Sequence, residues 1–209
     1  MEKTNLLNRL KPWQIILIFG ILLCIIYGFG SFTFDYYAGA ATPKFGDFSE
    51  YSGVGMFFVY VLSYFIVLVV MLPILLIKRF GVGVAVWLPY AISGLFVEYY
   101  MEMIQSNALL GFWAVIGWCI VGLLIGLSAD LAYRYLPASW SEKGRAISTA
   151  LVLGIFLFLL VLLALLTFYT KVPAYSGADF FSVAYYGLPL LLINSLFAGY
   201  TAYAISKNV

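Results

Sequence analysis

The chain has 209 residues, of which 65% are hydrophobic, 19% aromatic and only 10% charged, with a net charge of +2. A soluble domain carries about 25% charged residues, so this composition excludes a soluble globular enzyme, a disordered tail and a secreted disulfide scaffold. It leaves a polytopic membrane protein of all-α class, with too little net charge to argue for nucleic acid.

There is no histidine. This excludes histidine-ligated metal centres and Ser-His-Asp chemistry within the chain. The uncharged runs are 12–34, 51–77, 80–97, 103–129, 146–170 and 180–206, and the shortest is 18 residues. A helix needs roughly 20 residues to cross a hydrocarbon core. The runs do not alternate as barrel strands do; LVLGIFLFLLVLLALL at 151–166 is solidly apolar. The expectation is one integral membrane domain, 1–209, with helices at about 12–32, 53–77, 80–101, 108–131, 146–170 and 180–206.

The first helix carries a row of small residues at four-residue spacing, Gly20, Cys24 and Gly28. Such a row lets another helix approach closely, either within the chain or from another subunit. This helix is too long, and lacks a small-residue cleavage site, to be a plain signal peptide. A long aromatic and Gly-rich outer loop, TFDYYAGAATPKFGDFSEYS at 33–52, follows.

The second helix joins the third almost directly at Lys78-Arg79. The third is the shortest and carries Pro89 in its interior. Its outer end, EYYMEMIQSN at 98–107, brings Glu98, Tyr99, Glu102 and Asn107 together. Glu98 and Glu102 are four apart and share a helical face. Polar groups in a bilayer are functional candidates; the alternative here is a helix end meeting water.

The fourth helix has Trp113 as a candidate ring partner, then Cys119, Gly122 and Gly126, and ends with Asp130 and Arg134. That last spacing is expected to form a local ion pair at the membrane surface. No CxxC occurs, so Cys24 and Cys119 are read as small apolar residues. The longest inner loop is RYLPASWSEKGR at 134–145.

The sixth helix holds Tyr186, then Pro189, then Asn194 at its middle, with small pairs Ser195/Gly199 and Ala198/Ala202. A proline frees a backbone carbonyl and bends the helix, which would let Asn194 line a cavity. The alternative is a hydrogen bond from Asn194 to a neighbouring helix.

With a cytoplasmic N-terminus, Lys3, Arg9, Lys11, Lys78, Arg79, Arg134, Lys143, Arg145 and Lys207 all fall inside, and only Lys44 and Lys171 outside. That asymmetry puts both termini in the cytoplasm. The outer side then carries six acids against two bases, which favours neutral or cationic ligands. Abundant aromatics favour flat or cationic rings. No phosphate loop, HExxH or GxSxG motif is present, so no catalytic residue, metal or cofactor is expected, and uphill transport would need a gradient or partner subunits.

Six helices in about 200 residues with both ends inside resemble the substrate-binding S-components of energy-coupling factor (ECF) transporters. The stretches LFVEYYMEMIQSNALLGFWAVIGWCIVGLLIGLSADLAYRY (95–135) and YSGADFFSVAYYGLPLLLINSLFAGYTAYAISK (175–207) are most similar in layout to the YkoE branch, associated with the hydroxymethylpyrimidine moiety of thiamine. The resemblance implies a non-enzymatic subunit of a prokaryotic plasma membrane that captures a vitamin or its precursor from outside. It also implies partners: a transmembrane coupling subunit and two ATPase subunits. In that family an Ala-xxx-Ala row on the first helix meets the coupling subunit; here the matching positions are Gly20, Cys24 and Gly28. Other readings are a non-catalytic membrane subunit of a different complex, or a small carrier or channel.

Overall fold

A computed structural model describes the backbone at residues 10–40, 48–105, 111–168 and 177–208, and the side chains at 10–26, 62–93, 119–159 and 188–208. Six helices follow one another: α1 (Pro12–Ala40), α2 (Phe48–Ile77), α3 (Val82–Gln105), α4 (Gly111–Tyr135), α5 (Glu142–Phe168) and α6 (Gly177–Asn208). No strand occurs among the described residues. The helices outrun the uncharged segments of the sequence. The reading of 33–52 as loop is thereby corrected, since α1 continues to Ala40 and α2 begins at Phe48. A charge ends an apolar run in the sequence, but helical hydrogen bonding continues past that point. The loop read at 134–145 likewise shrinks to residues 136–141.

Helix ends follow local chemistry. Pro12 opens α1, and the Gln14 side chain reaches back to accept from the Lys11 N–H at 2.8 Å, a half capping box with proline at the first helical position. Ser141 caps α5 by accepting from the Gly144 N–H at 3.1 Å. Between α2 and α3 the chain reverses in four residues, because Lys78 (φ 55°) and Gly81 (φ 90°) both take the left-handed conformation.

α2 lies at the centre and touches each of the other five helices, which are linked around it in the order α1, α3, α4, α5, α6. Its Val67, Val70, Met71, Ile74 and Leu75 are fully buried. They meet Leu23 of α1, Val86 and Trp87 of α3, Ile125 of α4 and Leu153 of α5 in one core. Two seams are closer than ordinary side chains allow. Between α3 and α4, a Cβ on Gly126 would stand 2.5 Å from the Gly83 carbonyl oxygen, and one on Gly122 would stand 2.9 Å from the Trp87 ring. Between α5 and α6, a Cβ on Gly154 would overlap Ser195, and one on Gly199 would meet the Ala150 Cβ at 2.7 Å. The small rows seen in the fourth and sixth helices therefore pack inside the chain. So does a third row, Ala146, Ala150 and Gly154 of α5, which the sequence analysis did not single out.

Among the described residues, Leu188–Asn208 is long and apolar enough to cross a membrane, and Pro12–Ile26, Leu62–Ile77 and Val82–Ser93 are shorter apolar stretches.

Candidate functional site

Every charged side chain that the structure describes sits at one end of the bundle: Lys11, Lys78, Arg79, Arg134, Lys143, Arg145 and Lys207, with Asp130 and Glu142 as the only acids among them. Contacts latch this end together. Lys78, after α2, pairs with Glu142 at the start of α5; this hydrogen bond holds the Lys78 ammonium above its ordinary pKa. The Arg145 guanidinium lies 4.6 Å from the Tyr133 ring centroid and donates to the Tyr133 carbonyl. Lys143 stands 4.7 Å over Tyr200, tying α5 to α6, and Arg134 stands 5.4 Å over Phe80 in the α2–α3 turn.

Asp130 behaves differently from its expected role. Its carboxylate is buried, and it accepts from the backbone N–H groups of Gly83 at 2.9 Å and Val84 at 3.1 Å. Those are the orphan donors of the first turn of α3, which a local cap would normally satisfy. Gly81 stands in the capping position and has no side chain to offer. Asp130 supplies the cap from α4, made possible by the Gly83–Gly126 approach. The expected Asp130–Arg134 ion pair is thus replaced: the first-turn donors of α3 hold the carboxylate inward, while Arg134 stays exposed over Phe80.

Further along the bundle lies a layer of polar groups. Asn194 Nδ2 donates to Ser63 Oγ at 3.1 Å, joining α6 to α2, and Tyr64 Oη donates to Thr201 Oγ1 at 3.0 Å along the same seam. Cys24 Sγ and Ser93 Oγ are 3.5 Å apart between α1 and α3, and Cys119 Sγ donates to the Ala91 carbonyl at 3.2 Å between α4 and α3. Counting 1.5 Å per residue from the helix ends, Ser63, Asn194, Cys24, Ser93 and Cys119 all lie about 17–24 Å from the basic end. Between this layer and the basic end the interior is mostly apolar core, with Ser128 and Thr149 buried within it.

The sequence-derived site residues divide accordingly. Asn194 makes the inter-helix hydrogen bond that was its alternative reading. Gly20 and Cys24 face α3 within the chain: a Cβ on Gly20 would stand 2.6 Å from Pro89 Cγ, and Cys24 meets Ser93. At these two positions a helix of the same chain takes up the row. The backbones of Gly28, Glu98, Tyr99, Glu102, Trp113 and Tyr186 belong to α1, α3, α4 and α6, but their side chains lie outside the described residues, as does Asn107 altogether. Sequence reasoning missed Ser63, Ser93 and Thr201, since a lone hydroxyl inside an apolar run carries no signal until its partner helix is known. The chain matches no family model, and no curated protein or solved structure shows detectable similarity to it.

Proposed function

We propose that the chain is a six-span integral membrane protein with both termini cytoplasmic, serving as a non-catalytic substrate-capture subunit for a small neutral or cationic heteroaromatic ligand taken from the outer side. The observation that carries this reading is the division of the surface. All described charge is gathered at one end, seven basic side chains against two acidic. Beyond it, large apolar side chains are exposed on all sides, among them Ile25, Ile92, Ile120, Leu159 and Phe197 at 51–63%. Soluble monomers rarely expose so continuous an apolar surface, and a basic cytoplasmic end is the arrangement the positive-inside rule favours.

The latched, core-filled basic half suits a closed inner side, with the polar layer around Asn194 as the floor of an outward-facing pocket. Glu98 would hydrogen-bond an amino-substituted or cationic ring, with Glu102 and Asn107 at the rim and Tyr99, Trp113 and Tyr186 stacking on it. A thiamine-type aminopyrimidine is the best candidate ligand, and an ECF-type coupling subunit with two ATPases the best candidate assembly. The packing of Gly20 and Cys24 against α3 moves the docking surface for such a subunit away from these two positions. The test is mass spectrometry of small molecules that co-purify with the full chain, followed by calorimetry with the aminopyrimidine. Glu98→Gln should weaken binding about tenfold, since a charge-assisted hydrogen bond contributes roughly 1.5–3 kcal/mol. No co-purified heteroaromatic compound and no aminopyrimidine affinity would refute the reading.

A further inference from the structure

An apolar groove of about 790 Å³ runs along the outer surface between α1 and α3, walled by Trp13 and Leu17 on one side and by Ala85, Leu88, Pro89 and Ile92 on the other. It exists because Gly20 lets Pro89 nest against α1, so the two helix backbones meet at the bottom while their larger side chains spread above. From Ala85 to Ile92 the wall rises about 10 Å along the helix axis, a length suited to part of one extended hydrocarbon chain. The groove is open along its side, as access from a bilayer requires.

Its end at Trp13 and Ala85 lies at the basic pole of the bundle. There the cations differ in what they touch. Lys78 is paired with Glu142, and Arg134, Lys143 and Arg145 each lie over an aromatic ring. Lys11, Arg79 and Lys207 have no ion pair or ring contact among the described residues, and all three are exposed; Lys207 ends α6, which packs on α2 and α5 and does not wall the groove. Lys11 immediately precedes α1, two residues before Trp13. Arg79 lies in the turn that leads into α3, six residues before Ala85. One uncommitted cation therefore stands at the head of each helix that walls the groove.

We propose that this groove and its two cations form a binding site for one anionic phospholipid of the inner leaflet, with an acyl chain along the groove and the phosphate between Lys11 and Arg79. The inference rests on the membrane reading above. Two basic side chains near an anionic headgroup should select it over a zwitterionic one by about tenfold or more. Trp13 at the groove mouth is suited to the headgroup level, where its amphipathic ring is favoured.

Native mass spectrometry of the full chain, offered phosphatidylglycerol and phosphatidylcholine at equal concentration, tests this. The wild type should retain one phosphatidylglycerol about tenfold in preference to phosphatidylcholine. The double variant Lys11→Gln/Arg79→Gln should lose the preference, Lys143→Gln should keep it, and Ala85→Phe should lower retention of both lipids by obstructing the groove. Equal retention of the two lipids by the wild type, or an undiminished preference in the double variant, would overturn the site. So would loss of lipid retention together with cross-linking of a second membrane protein to Leu88→Cys, which would assign the groove to a partner helix. Alkaline carbonate extraction separates the two levels of failure. Release of the chain from membranes would defeat the membrane reading itself, whereas a chain that stays in the pellet without lipid preference defeats only the site.

Discussion

Asp130 carries more of the architecture than its place at a helix end suggests. It is a buried carboxylate whose two oxygens satisfy the first-turn donors of α3, and its negative charge complements the positive pole of that helix. Asp130→Ala leaves those donors buried without partners. It should destabilise the protein by about 1–3 kcal/mol, judged from the loss of caps and of buried hydrogen bonds. Arg134→Gln loses one exposed ring contact and should cost at most about 1 kcal/mol. Thermal unfolding in detergent, followed by tryptophan fluorescence, compares the two. Equal losses would restore the ion pair that the sequence spacing suggested. That spacing misled because four residues on a helix bring two side chains within reach of each other but do not say which one a third helix will claim.

At the scale of elements, glycine seams join α3 to α4 and α5 to α6 around the apolar core. The α3–α4 seam brings backbone against backbone: a methyl group on Gly126 would meet the Gly83 carbonyl oxygen and carbon at 2.5 and 2.6 Å. Backbone cannot swing aside as a flexible side chain can. Gly126→Ala and Gly83→Ala should each destabilise by roughly 1–3 kcal/mol through overpacking, and both should disturb the Asp130 cap, which depends on the same approach. Gly144→Ala, in the first turn of α5, meets only the Ser141 hydroxyl at 3.2 Å and gains helix propensity, so its midpoint should stay close to wild type. Chemical or thermal unfolding of the three variants side by side checks this; similar losses in all three would remove the distinction between seam and surface glycines.

For the whole molecule, the pairing of Lys78 with Glu142, the cap from Asp130 to α3 and the contact of Lys143 with Tyr200 bring the end of α2, the start of α3, the end of α4, the start of α5 and the end of α6 to one pole. That is up-and-down connectivity, and in a membrane it gives the two ends of the bundle opposite sides. In a Cys24→Ala/Cys119→Ala background, a membrane-impermeant thiol reagent added to intact cells should label Gly46→Cys and spare Ala138→Cys, and should label Ala138→Cys once the cells are opened. Ala138 suits the purpose because it is exposed in the loop between α4 and α5, whereas Ser141 is committed to capping α5. Labelling of Ala138→Cys in intact cells would invert the orientation and move the proposed pocket to the cytoplasmic side.

Composition and the positions of charge determined the number of helices and their order, because both follow from one-dimensional quantities: hydrophobic length and the cost of placing charge away from water. The four-residue glycine rows of the fourth helix were legible for the same reason, since close approach needs small residues at helical spacing on one strip. Their partners were not. Only tertiary structure assigned Gly20 and Cys24 to α3, joined Asn194 to Ser63 and turned Asp130 from Arg134 to the first turn of α3. Each of these depends on which helix lies alongside and at what rotation. In a chain where nearly every face is apolar, hydrophobic periodicity does not distinguish the face left on the outside of the bundle from the face that meets a neighbouring helix, so those choices are made by packing and by the few polar groups that must find one another within it.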